Sequence, residues 1–100
     1  MTEHEVKERI KGNDMAVCQA IVCVYRKQTA SEKAAHSTHE VNGVGFNKFD
    51  ANFLCSLAEQ IIRNKDMKRP SLLSPNQIKA GRKAIMKYAG QVARILNGEV

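Results

Sequence analysis

Residues 50–64 read Asp50-Ala51-Asn52-Phe53-Leu54-Cys55-Ser56-Leu57-Ala58-Glu59-Gln60-Ile61-Ile62-Arg63-Asn64, and this stretch has the clearest helical period in the chain. Its apolar side chains recur in an i, i+1, i+4, i+5 pattern, which predicts a helix with a broad buried face. We expect Asp50 to cap the helix by accepting from N–H groups of its first turn. Phe49 and Leu54 are spaced to form a hydrophobic staple at the same end.

The segment before this helix is a glycine-punctuated turn, from Asn42 to Lys48. Gly43 and Gly45 permit backbone conformations that most residues resist, and asparagine suits the same kind of turn. Because loops often present binding groups, we predict that Asn42, Asn47 and Lys48 bind a partner. The alternative is a plain connection whose glycines serve only the backbone. A phosphate-binding glycine loop is disfavoured, since the stretch has no Gly-Lys-Ser/Thr ending and no clear preceding strand.

A last helix is predicted from the capping box Ser74-Pro75-Asn76-Gln77 to a left-handed stop at Asn97-Gly98. Gly81 and Gly90 in its interior each weaken a helix by about 1 kcal/mol relative to alanine, so we expect another backbone to approach there. Helical geometry puts its apolar residues on one half. They are Ile78, Ile85, Tyr88, Ala89, Val92, Ile95 and Leu96.

The N-terminal half predicts two more helices. The first spans Thr2 to Lys11, with Val6 and Ile10 on one side, and ends at Gly12-Asn13. The second is capped by Asp14 and runs to about Lys27. Its expected buried side chains are Met15, Cys18, Ile21, Val22 and Tyr25.

Two points about this half stay open. The β-branched residues among 21–24 would also fit a strand. Residues 28–41 are polar without a sustained period, which indicates a loop with at most one helical turn at 32–35. The sequence thus predicts an all-α fold, a small bundle of about four helices with the glycine-rich turn before the third.

Length and composition indicate one globular domain covering residues 1–100, since 100 residues with 43% hydrophobic content bury one modest core. No apolar run approaches the roughly 18 residues that span a bilayer, and the N-terminus lacks the pattern of a signal peptide. We therefore expect a monomer in the cytoplasm.

The formal charge of +6 is concentrated in the C-terminal half. Between residues 63 and 94 the only acidic residue is Asp66, against nine basic ones. These are Arg63, Lys65, Lys68, Arg69, Lys79, Arg82, Lys83, Lys87 and Arg94. Such a field attracts phosphate backbones or acidic protein surfaces. The alternative is a solvated face that only keeps the protein soluble.

Metal binding and catalysis find little support. Cys18, Cys23, His36 and His39 approach zinc-finger spacing, but the histidine pair is one residue short and the cysteines lie in an apolar run without a knuckle. No nucleophile with a base and no carboxylate pair stands at a persuasive spacing. We expect no metal, no cofactor and no enzymatic activity.

Several motifs together resemble a recurring segment of phage and mobile-element proteins, some of them helicase-associated. They are Asn42-Gly43-Val44-Gly45-Phe46-Asn47, Asp50, Ser56-Leu57-Ala58, Leu73-Ser74-Pro75-Asn76-Gln77, Arg82-Lys83 and Lys87-Tyr88-Ala89-Gly90-Gln91. In size and helical make-up the chain also resembles small phage anti-CRISPR proteins that act on type I surveillance complexes. That second resemblance implies stoichiometric binding to a host nucleoprotein, so that target DNA is not engaged.

Two functions follow as hypotheses. The first, which we favour from the sequence, is a non-enzymatic inhibitor that docks on a host protein or ribonucleoprotein complex through the turn at residues 42–48. The second is a nucleic-acid-binding accessory module of a phage or mobile-element replication or recombination system. In that module the basic residues hold phosphates directly.

Overall fold

The computed structural model describes residues 2–35 and 46–98, with the side chains of residues 2–28 and 46–98. These residues form α1 (Glu3–Gly12), α2 (Asp14–Ala35), α3 (Ala51–Asp66), α4 (Pro75–Ile85), a 3-10 turn (Met86–Tyr88) and α5 (Ala89–Leu96). The described part of the chain contains no strand, and α4, the turn and α5 follow one another as the fourth helical segment. The predicted all-α fold is confirmed.

The first helix begins and ends on local signals. Thr2 and Glu5 form a capping box, in which each side chain accepts from the other residue's backbone N–H. After α1, the Oδ1 atom of Asn13 accepts from the N–H groups of Met15 and Ala16, at 2.8 and 3.3 Å. Asn13 therefore caps α2, and the prediction that Asp14 does so is wrong.

The second helix is longer than its apolar pattern predicts, since it continues past Lys27 to Ala35. The loop predicted for residues 28–31 is wrong, and the helical turn allowed at 32–35 is part of the same continuous helix. Residues 36–41 lie outside the described part of the chain. The sequence Gln28-Thr29-Ala30-Ser31-Glu32-Lys33-Ala34-Ala35 contains no glycine or proline and is rich in good helix formers. Residues 28–35 show no apolar period from which a helix could be predicted. Their high helix propensity therefore accounts for the extension of α2.

The buried face of α2 matches the predicted one only in part, since Cys18 and Ile21 are buried as expected. Val17, Ile21 and Val24 are fully inaccessible, whereas Met15 is 51% exposed and Val22 is only half-buried. Residues 21–24 are helical, which answers the open question of a strand. Helix α2 packs against α1, α3, α4 and α5, so its inward stripe lies at the centre of the core.

The predicted last helix is divided by the 3-10 turn. Helix α4 packs against α2 and α3, while α5 packs against α1 and α2. Because the 3-10 turn interrupts the helix, α4 can pack against α3 while α5 packs against α1. Gly81 in α4 is buried, but side chains approach it, not the backbone that we expected: a Cβ there would lie 3.2 Å from Leu57 Cδ1 and 3.3 Å from Ile21 Cδ1.

Candidate functional site

The turn before α3 is held by Asn47. Its Oδ1 atom accepts from the N–H groups of Phe49 and Asp50, both at 2.9 Å. Its carbonyl oxygen accepts from the Ala51 N–H at 2.9 Å. Asn47 thus organises the start of the helix, a local pattern for which asparagine is well suited.

Asp50 does not cap α3 with its side chain, which corrects the prediction. Its carboxylate instead accepts a hydrogen bond from the Tyr88 hydroxyl and pairs with Lys87 Nζ, both at 2.8 Å. The bonds from Lys87 and Tyr88 hold the pKa of the Asp50 carboxyl below its usual value. Burial raises the pKa of Tyr88.

The same tyrosine ties the turn to the rest of the fold. Its hydroxyl oxygen accepts from the Asn47 N–H at 2.9 Å, and its ring meets Phe46 edge-on with centroids 5.3 Å apart. The Phe46 N–H donates to Gln28 Oε1 at 2.8 Å. Residues 46–50, which begin with the described end of the turn, are therefore held by hydrogen bonds to both α2 and the last helical segment.

The three residues predicted to bind a partner have different surroundings. Asn42 lies outside the described residues. Asn47 uses its Oδ1, carbonyl and N–H groups in hydrogen bonds within the fold. Lys48 is exposed, and next to it the Phe49 side chain is 93% exposed. The predicted staple between Phe49 and Leu54 is therefore wrong, because Leu54 is buried in the core while Phe49 stays exposed.

The nine predicted basic residues fall into two groups. Arg82 is half-buried: its Nε donates to the Ile10 carbonyl at 2.9 Å and its guanidinium pairs with Asp14. Lys87 pairs with Asp50. The other seven are exposed, and no ion pair in the described part of the chain involves them. They are Arg63, Lys65, Lys68, Arg69, Lys79, Lys83 and Arg94.

Four of these seven exposed cations lie in a short stretch at the C-terminal end of α3, which we call the basic end: Arg63, Lys65, Lys68 and Arg69. The Lys68 N–H donates to the Lys65 carbonyl at 3.0 Å, and the Arg69 N–H to the Asn64 carbonyl at 2.9 Å. This pairing is a Schellman motif with Lys68 at the left-handed position. Lys68 has φ of 56° and is the only described residue other than glycine with positive φ.

One cation near the basic end was missed from the sequence. Arg26 of α2 is exposed and lines the same groove as Lys65 and Arg69. It stands four residues after Val22 on the outer side of α2, and that spacing could have indicated its position.

The basic residues of the last segment are less continuous than predicted, since the 3-10 turn separates Lys79 and Lys83 from Arg94.

No group of three or more His, Cys, Asp or Glu side chains within residues 2–28 and 46–98 is placed to hold a metal ion. Cys18 and Cys23 lie on α2, where burial raises the pKa of both thiols. His36 and His39 of the zinc-like pattern lie outside the described residues.

None of the helices, over the ranges described, is both long and apolar enough to cross a bilayer.

Comparison with known proteins adds no relative from which a function could be carried over. No protein-family model matches this chain, and no curated protein or solved structure matches it either.

Proposed function

We propose that this chain is a non-enzymatic nucleic-acid-binding module that holds phosphates at the basic end of α3. The observation that carries the proposal is Lys68 in the left-handed conformation between Lys65 and Arg69. The resemblance to helicase-associated phage and mobile-element proteins is consistent with an accessory role in replication or recombination.

The backbone argument is as follows. A residue with a Cβ atom at positive φ costs about 1–2 kcal/mol, and glycine is the usual residue at this position of a Schellman motif. Lysine there gives up stability that glycine would supply. Strained residues of this kind cluster at functional sites. Lys68 is one of four exposed cations at the basic end. A role in binding phosphates would explain why a lysine, and not glycine, occupies this strained position.

The test is fluorescence anisotropy with single- and double-stranded DNA over a salt series. Lys68→Gly should weaken binding and reduce the salt slope by about one, because one phosphate contact is lost. The same substitution should raise the melting temperature, because the strain is relieved. Lys11→Gln is the matched control, since Lys11 is an exposed lysine at the end of α1. Equal weakening in both variants, or no binding at low salt, would contradict the proposal.

A second candidate, favoured by Phe49, is an inhibitor that docks on a host nucleoprotein such as a type I CRISPR surveillance complex. Aromatic side chains are enriched among residues that dominate protein interfaces. Phe49 is 93% exposed and adjoins the exposed Lys48, so it offers an apolar anchor beside a charge. This function predicts that stoichiometric protein blocks target-DNA binding by the purified complex. Phe49→Ala should remove the block, while Lys68→Gly leaves it in place.

A further inference from the structure

A groove with a volume of about 450 Å³ lies along the outer side of α2, between that helix and α3. Its apolar lining includes Met15 and Val22 from α2, Ile62 from α3 and Leu72 from the connection to α4. Val22 and Leu72 are half-buried and pack against the core, while Met15 is 51% exposed. The groove therefore exposes a strip of apolar surface that continues into the core.

The charged residues that line this groove all have one sign. Arg26, Lys65 and Arg69 contribute to its wall, and no aspartate or glutamate does. An occupant that buries apolar surface there would also place its charged groups beside three cations. Charge complementarity thus favours an acidic occupant.

A second, smaller hollow of about 210 Å³ lies on the other side of the same α2 surface, against α1 and α5. It shares Gln19 and Cys23 with the groove, and its one charged lining residue is Arg9. Leu96 at its border is 56% exposed. The outer face of α2 is therefore flanked on both sides by apolar hollows with basic residues.

We propose that this groove binds an acidic amphipathic helix of a partner protein. Met15 and Arg26 are eleven residues apart on α2, which is about 16 Å, or three helical turns. A helix of that length would place its apolar side chains on the strip and its carboxylates beside Arg26, Lys65 and Arg69. Met15 suits such a contact because methionine adapts its shape to different partners.

A second copy of this chain is a poor occupant. The chain carries a net charge of +6, so two copies repel each other. The helix with the most carboxylates, α1, balances Glu3, Glu5 and Glu8 with three basic residues and already buries its apolar side chains within its own fold. No acidic helix with an unoccupied apolar side is therefore offered by the described residues.

The proposal is tested with a fluorescein-labelled peptide of about 14 residues, four helical turns, with leucines on one face and glutamates beside them. The control peptide has the same composition in scrambled order. The designed peptide should bind at least about tenfold more tightly than the control, which is a difference of about 1.4 kcal/mol. Binding should shift the methyl NMR signals of Val22 and Ile62.

Three variants separate this surface from the DNA-binding one. Met15→Glu puts a negative charge in the groove at an exposed position, and Arg26→Glu reverses a charge in its wall. Both should weaken peptide binding at least about tenfold. Arg63→Glu removes a cation that does not line the groove, so it should lower DNA binding and leave the designed peptide bound.

Equal affinity for both peptides would show that only their net charge matters, and not the amphipathic arrangement of their side chains. That result would overturn the proposal. Unchanged binding by Met15→Glu would do the same. Saturable binding of dodecanoate without peptide binding would assign the groove to a small amphipathic anion. A concentration-dependent dimer that Met15→Glu dissociates would assign it to a second copy, and either result would contradict a partner helix.

Discussion

The hydroxyl of Tyr88 donates to the carboxylate of Asp50 at 2.8 Å, joining two residues that are 38 positions apart in the sequence. The same oxygen accepts from the Asn47 N–H, so a single side chain in the last helical segment satisfies two groups of the turn. Tyr88 is 5% exposed. This contact fixes the start of α3 against the C-terminal part of the chain.

Removing the hydroxyl should therefore be costly. We expect Tyr88→Phe to lower the free energy of unfolding by about 1.5–3 kcal/mol, the range for a hydrogen bond to a charged group. Urea denaturation measures the loss. Tyr25→Phe is the matched control, because the Tyr25 hydroxyl donates to Glu59 at 3.1 Å in an exposed bond. Equal losses in the two variants would show that the Tyr88 contact is not formed in solution.

A second prediction concerns Asn47. Asn47→Ala should destabilise the protein by about 1 kcal/mol, the typical cost of losing a side chain that caps a helix start. Asn52→Ala, at an exposed position of α3, should leave the stability unchanged or slightly raised, since alanine favours a helix. Thermal melts followed by circular dichroism distinguish the two. A partner-binding role for the turn should consequently be tested with Lys48→Ala alone.

The lowered pKa of Asp50 predicts a dependence of stability on acid. Its carboxyl has a lower pKa in the folded protein than in the unfolded chain, for which the ordinary value is 3.8. The stabilisation is therefore fully present well above pH 3.8 and is lost as the pH falls through 3.8 to the folded value. Urea unfolding at a series of pH values should show less of this loss in Asp50→Asn. Parallel pH profiles for the two proteins would contradict the assignment.

Features encoded by neighbouring residues could be predicted from the sequence. The capping box at Ser74 and Gln77 is present, with the Gln77 N–H 3.2 Å from Ser74 Oγ, because both partners belong to one helical turn. Helix α3 follows its apolar period at Leu54, Leu57 and Ile61, which are all buried, although Phe53 at the edge of the predicted face is 40% exposed. Local geometry and periodicity were sufficient in both cases.

Contacts between distant residues could not be predicted in this way. Asp50 has the sequence context of a helix cap, and only the folded chain brings Lys87 and Tyr88 to its carboxylate. Arg82 fits the basic face of the last helix by spacing, yet its partner Asp14 is 68 residues away. The run of basic residues at the basic end could be predicted from the sequence. The left-handed conformation of Lys68 could not, because it is a feature of the folded backbone.

The two glycines inside the last helical segment provide the final prediction. A Cβ at Gly90 would lie 2.9 Å from Glu3 Oε1, the end of a flexible side chain that is 57% exposed and can move aside. Gly90→Ala should therefore stabilise the protein by up to about 1 kcal/mol through helix propensity, less a small loss from the exposed pair of Glu3 with Lys7.

Gly81→Ala gains the same propensity but places its Cβ 3.2 Å from Leu57 and 3.3 Å from Ile21, which are buried and closely packed. Overpacking of a core typically costs about 1–3 kcal/mol, so this variant should be less stable than Gly90→Ala by about 1 kcal/mol or more. Urea midpoints of the two alanine variants measure the difference directly. Equal stabilisation would mean that the core around Gly81 has room for a methyl group, and that the close approach of Leu57 and Ile21 does not explain the glycine.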